Sequence, residues 1–298
     1  MMPVRRDVHP HLPADRISNW HERGPHVTHF LNALSIFFPT GERFFMDSVR
    51  NYRHLVTDPE LKQAVAGFIG QEAMHTREHV LYNDLLDRAG LPATRIDRFI
   101  GKFLNVLRKW TPKSHQLAVT VALEHYTAML AGQVLSHEDG LGRNSESGYR
   151  QVWLWHAMEE TEHKAVSYDV WNLAIKPGVG RYLTRTLTML VTTVTFWAMV
   201  FYVHLRLIFA DRTVKHKFLG LGKAFHFLWI HPAPLRKIIP EFFDFFRPSF
   251  HPWDEDNRDA LERLPKLISE IEAYAAANGE APSPSIRRKL STAGAAGS

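Results

Sequence analysis

From Pro39 onward the apolar positions follow a helical period, and no stretch alternates apolar and polar residues between turn signals. The pattern predicts helices over 40–56, 59–89, 93–110, 112–138, 146–175 and 180–210, then shorter ones at 216–230, 234–246 and 257–277. The punctuation agrees. Asp58-Pro59 and Thr111-Pro112 open helices with proline in the first turn, and Ala89-Gly90, Asp139-Gly140 and Lys176-Pro177-Gly178 close them. The fold class is therefore all-α. Residues 1–28, rich in Pro, His and Arg without a period, read as a flexible N-terminal arm. Residues 29–178 read as the main bundle and 179–277 as accessory helices. The tail 278–298 has a disordered composition.

One stretch departs from the amphipathic pattern. TLTMLVTTVTFWAMVFYV, residues 186–203, runs 18 residues without a charge. That is near the lower limit for a membrane span, but five threonines weaken it, and a core helix or a homodimer interface gives the same pattern. The aromatic run 225–246 could lie at a membrane interface or cover the bundle. The N-terminus has no apolar leader, so the expected location is cytoplasmic, with the inner membrane as a surface for 186–203 and 225–246.

Composition narrows the chemistry. The chain has no cysteine and 18 histidines, which excludes disulfides, thiolate metal sites and thiol nucleophiles and leaves nitrogen and oxygen as metal ligands. The net charge of +5 is mild, and no basic, aromatic-interleaved patch points to nucleic acid.

The candidate chemistry lies in HAMEETEH, residues 156–163. Glu160 and His163 are one helical turn apart, and His156 lies one turn before Glu160 on the same face. A single Glu-x-x-His also arises from surface charge. A second copy, Glu72-x-x-His75, followed by His79, sits in another long helix. Glu42 lies 30 residues before Glu72, and Glu124 lies 36 residues before Glu160, the spacing of two helical hairpins related by a pseudo-twofold. Glu124 has almost wholly apolar neighbours, where an unpaired carboxylate is costly. For Glu42, an N-cap at Thr40 offers another reading, a carboxylate complementing the helix dipole. The expected metal ligands are Glu42, Glu72, His75, Glu124, His156, Glu160 and His163. His79 is a further ligand, a proton carrier or a hydrogen-bond partner of a ligand. Glu159, Gln71 and Asp169 are candidate partners for the ligating histidines. Glu159 and Glu162 also read as solvated helix charges.

The order Glu, Glu-x-x-His, Glu, Glu-x-x-His resembles the ferritin-like di-iron carboxylate superfamily, and His156-x-x-x-Glu160-x-x-His163 is similar to the extra-histidine motif of its p-aminobenzoate N-oxygenase branch. FFPTGERFF (37–45), QEAMHTREH (71–79), ALEHYTA (122–128), HAMEETEHKAVSYDVW (156–171) and FFRPSFHPWDED (245–256) together resemble a bacterial family labelled "predicted metal-dependent hydrolase". The resemblance implies a ferritin-like four-helix bundle with additional C-terminal helices and two metal ions, iron first and manganese or zinc as alternatives. In the last stretch His251, Asp254 and Asp256 read by default as polar loop residues.

Three functions follow. The first is a di-iron oxidase or oxygenase using O2 on a small apolar or aromatic substrate. Glu72 and Glu160, or Glu42 and Glu124, would bridge or cap the metals. The second is a two-metal hydrolase, as the family label suggests. The third is a non-catalytic, membrane-associated helical protein. No general acid or base stands out.

Overall fold

The computed structural model describes residues 2–136 and 140–279; the tail discussed above lies outside them, apart from residues 278 and 279. Helices α1 (Pro25–Arg50), α2 (Pro59–Arg88), α4 (Lys113–Ser136) and α5 (Ser147–His163) pack in a closed ring, with α3 (Ala93–Trp110) lying against α1 and α2. A short α6 (Val166–Ala174) continues from α5. The long α7 (Val179–Ala210) lies along α1 and α4. The chain ends with α8 (Lys217–Phe225), the short α9 (Pro234–Lys237) and α10 (Ile239–Asp244), and α11 (Leu264–Ala277), which packs on α5. The described residues contain no strand.

The first helix begins at Pro25 rather than near residue 40, and it runs straight through Pro39. Proline removes one helical N–H donor and frees the carbonyl four residues earlier. Here that carbonyl belongs to Ser35, and Asn83 Nδ2 of α2 donates to it at 3.1 Å. A tertiary hydrogen bond thus offsets the local defect. Thr40 consequently caps nothing; its hydroxyl donates to Asp97. Glu42 lies in the helix interior, so the dipole reading of that residue falls. The helix expected over 146–175 is divided at Lys164-Ala165, where Lys164 Nζ turns to the Glu255 carbonyl at 2.6 Å and to Asn257 Oδ1 at 2.9 Å. The expected helices at 216–230, 234–246 and 257–277 are likewise interrupted: a π turn covers His226–Ile230, and a 3-10 turn covers Arg258–Arg263.

Residues 2–24 have little regular structure, yet they are built into the molecule. Val8, Ile17 and Trp20 are buried in the core. The segment crosses α2 so closely that a Cβ on Gly67 would collide with the Pro3 carbonyl, which explains the glycine there. Within α7, one face carries buried Met189, Val200, Val203 and Leu207, and its His204 Nε2 donates to the His26 carbonyl of α1 at 2.9 Å.

Candidate metal centre

The ring of α1, α2, α4 and α5 brings the seven expected ligands into two adjoining groups. Glu42, His75 and His156 form one, and Glu72, Glu124, Glu160 and His163 the other; within each, the candidate ligand atoms lie within 4.8 Å of one another. All seven are buried. Glu160 touches both groups. Its Oε1 is 2.9 Å from His156 Nε2 and 3.5 Å from His75 Nδ1, while its Oε2 is 3.4 Å from His163 Nε2. His163 Nε2 also lies 3.3 Å from Glu72 and 3.6 Å from Glu124.

The residues fit a cation on a simple test. Both oxygens of Glu72 and of Glu124, Glu42 Oε1, Glu160 Oε2, His75 Nδ1 and His163 Nε2 are buried and have no hydrogen-bond partner. So many convergent, unsatisfied acceptors are costly unless protons or cations occupy the space between them. Four carboxylates carry the charge that two divalent ions neutralise. The electrostatics agree. Burial pushes the carboxyls of Glu72 and Glu124 well above the usual range, with repulsion among the glutamates adding to it, and pushes Glu42 up to about 8. Burial also acts on Glu160, but the electrostatic pull of His163, with His156 and His75 close by, outweighs it and holds that carboxyl below the usual range.

Hydrogen bonds fix which nitrogen of each histidine faces the cluster. His75 donates from Nε2 to Glu159 Oε2 at 3.0 Å, which leaves Nδ1 facing inward. His163 donates from Nδ1 to Gln71 Oε1 at 3.0 Å, which leaves Nε2 inward. Gln71 is itself oriented, since its amide donates to Glu162 and to the Val4 carbonyl. For His156 the chain of bonds is longer. Ser35 Oγ donates to Asn83 Oδ1 at 2.9 Å, so it accepts from His79 Nδ1 at 2.8 Å. His79 Nε2 then accepts from His156 Nδ1 at 2.7 Å, and the lone pair of His156 Nε2 faces the cluster. Burial and the neighbouring histidines hold His79 well below its ordinary value, so it stays neutral and can accept. His79 is thus a hydrogen-bond partner of His156 and lies outside both ligand groups.

Asp169 is not brought to the cluster. It lies in α6, is half-buried, and pairs with His251 at 3.1 Å. His251 also caps its own 3-10 turn, and Asp254 pairs with Arg247 at 3.0 Å, so these residues of the FHPWDED stretch organise a loop.

Sequence reasoning missed Arg6. Its guanidinium donates to Glu159 at 3.0 Å and grips Glu162 through two nitrogens at 2.7 and 2.9 Å. One arginine from the N-terminal segment therefore holds both the acid that orients His75 and the acid that orients Gln71 and His163. Nothing local signals this, because the partners are more than 150 residues away.

A pH dependence follows. Burial lowers His75, but the hydrogen bond to Glu159 and the Glu160 carboxylate beside it outweigh burial and carry it to about 10. With Glu42 near 8 as well, the folded metal-free chain binds more protons than the unfolded chain between pH 6.5 and 8, so its stability falls as pH rises. Below 6.5 the opposite sign enters, because burial holds His21, His125, His156 and His204 near 4. Thermal melts of metal-free protein should show Tm dropping from pH 6.5 to 8, and added divalent metal should remove the drop and release protons. A Tm that is flat or rises across that window contradicts this reading of the cluster.

A cavity of about 710 Å³ leads to the site. Phe38, Phe45, Leu104 and Leu123 are among its apolar walls, and Glu42, His156 and Glu160 stand in its lining. Phe38 also packs against the His156 ring at 4.4 Å between centroids.

No curated protein and no solved structure matches the chain. A family model described as "Predicted metal-dependent hydrolase" matches residues 4–256, from just before Arg6 through the FHPWDED loop, and the chain belongs to that family.

Proposed function

We propose that this protein is a metal-dependent hydrolase that cleaves an ester or amide of an apolar acid at a dinuclear carboxylate–histidine centre. The observation that carries the proposal is the meeting of a large apolar cavity with three of the candidate ligands, Glu42, His156 and Glu160. The family description supports hydrolysis. The order of the Glu and Glu-x-x-His motifs, and the ring of four helices that presents them, support a ferritin-like arrangement holding two ions. Bound divalent ions supply Lewis acidity, which polarises a carbonyl and acidifies water. The chain's own residues do the rest. The apolar walls bind and align the substrate's hydrocarbon part and exclude bulk water, so that its carbonyl meets the Glu42–His156–Glu160 wall. The bonds that Glu159, Gln71 and His79 accept keep each histidine in one orientation throughout.

A second reading, oxidation of an apolar substrate by O2 at a di-iron centre, is favoured by one observation: aromatic side chains crowd the histidines, with Trp155 against His75 at 4.9 Å and Phe68 against His163 at 5.0 Å. Dry aromatic walls suit oxidative chemistry.

One experiment separates the two. Protein loaded in turn with Zn(II), Mn(II) and Fe(II) is given p-nitrophenyl esters of increasing acyl length under nitrogen. Hydrolysis requires turnover that rises with chain length, persists without O2 and disappears with a chelator. Inert esters, with O2 uptake stoichiometric with product from an apolar substrate, replace the first reading with the second.

A further inference from the structure

The cavity mouth lies between α3 and α7, where its lining residues Phe103, Leu183, Leu187 and Val191 are exposed. The surface around this mouth is apolar beyond any need of the fold. On α3, Ile96, Ile100 and Leu104 face the core. Beside them Phe99, Phe103, Val106 and Trp110 recur at helical spacing and form a second stripe that faces outward, with Trp110 73% exposed. On α7 the stripe through Leu183, Leu187, Leu190 and Val194 continues to Tyr202 and Phe209, with Val194 72% exposed. Phe218 and Leu219 of α8 extend it, with Leu219 77% exposed. Contiguous apolar surface on this scale marks a docking face.

Charge identifies what docks there. Residues 176–240 hold ten Lys or Arg and a single acid, Asp211, which is buried against His29 at 2.8 Å. Residues 93–113 hold six Lys or Arg and a single acid, Asp97, which is engaged by Thr40. A second copy of the chain would set one basic rim against another. An anionic lipid surface complements both the apolar stripes and their basic flanks. α7 is long and apolar enough to cross a membrane by length and composition, at 32 residues. Its inner face, however, is packed on α1 and α4, the helices that carry Glu42 and Glu124, so lipid cannot surround it. That geometry suits a helix lying along a bilayer rather than through it.

We infer that α3, α7 and α8 seat this protein on an anionic lipid bilayer, with the mouth of the cavity facing the membrane so that an apolar chain enters the site without crossing water. The docking stands by itself; that the cavity is filled from the bilayer rests on the proposed function.

The test is co-sedimentation of the full chain with vesicles of phosphatidylcholine alone and of phosphatidylcholine mixed with phosphatidylglycerol. The protein should pellet with the mixed vesicles and at least about tenfold more weakly with the neutral ones, and added salt should release it. Val194→Asp combined with Leu219→Asp, and separately Lys102→Glu combined with Lys109→Glu, should each weaken binding by at least about tenfold. Helicity and metal content should stay unchanged in both, which separates loss of docking from loss of the metal site. Three results overturn the inference: no pelleting with either vesicle, equal pelleting that charge reversal leaves unaltered, or a stable dimer in light scattering that Val194→Asp dissociates.

Discussion

Glu160→Ala should strip the protein of both ions of the proposed dinuclear centre. Its two oxygens face different halves of the cluster, His156 and His75 on one side and His163 on the other, so its loss removes a ligand from each. Metal content should fall from two divalent ions per chain to near zero after dialysis. The rate on a cleavable substrate should fall roughly a thousandfold, the scale of several kcal/mol of lost Lewis-acid stabilisation. Glu42→Ala is the informative contrast. Glu42 belongs to the first group alone, so that variant should keep one ion. Elemental analysis of the two variants, with circular dichroism to confirm the helices, checks both. Equal metal content in Glu160→Ala and wild type would remove Glu160 from the ligand set.

Arg6→Ala acts through two acids that are not among the seven candidate ligands. It leaves the side chains of Glu159, fully buried, and Glu162, 7% exposed, without their cation. Breaking a fully buried pair costs about 3–5 kcal/mol, and with Arg6 itself 21% exposed the loss here should reach at most that range. The effect reaches the site through two routes, Glu159 to His75 and Glu162 to Gln71 to His163. Loss of such orienting partners costs roughly 10–100-fold in metal affinity. Arg6→Lys keeps the charge but cannot fork across two acids, so it should fall between the two. Denaturant melts of the metal-free variants measure the first effect, and metal titration against a competing chelator measures the second. An Arg6→Ala protein with wild-type stability and affinity would show that the arginine is a surface ornament.

The sequence made the ligand-bearing helices legible because their information is local. Asp58 caps α2 by accepting from the Leu61 N–H at 2.8 Å, and the Asp-Pro pair announces it. The Glu-x-x-His spacing places both side chains on one helix face whatever the tertiary structure is. Pro39 misled for the complementary reason. Its local effect is to break a helix, and the bond that cancels it comes from Asn83, 48 residues away from Ser35. Arg6 was illegible in the same way, since a basic residue in an irregular segment is ordinary until the fold lays it across two buried acids. Asp169, beyond the turn at Lys164-Ala165, pairs with His251 rather than with a ligating histidine, and nothing local to it announces that turn. The His79 role required Ser35 and Asn83, whose bonds decide that its Nε2 accepts.

The most direct test of the whole account is the metal content of the full chain, purified without chelator and then titrated anaerobically with divalent metal. A dinuclear centre requires two tightly held ions per chain, with ligation by nitrogen and oxygen alone in X-ray absorption, and with proton release as the cluster's carboxyls give up their protons. A folded chain that binds no divalent ion under these conditions, or binds one that Glu160→Ala leaves in place, would contradict it.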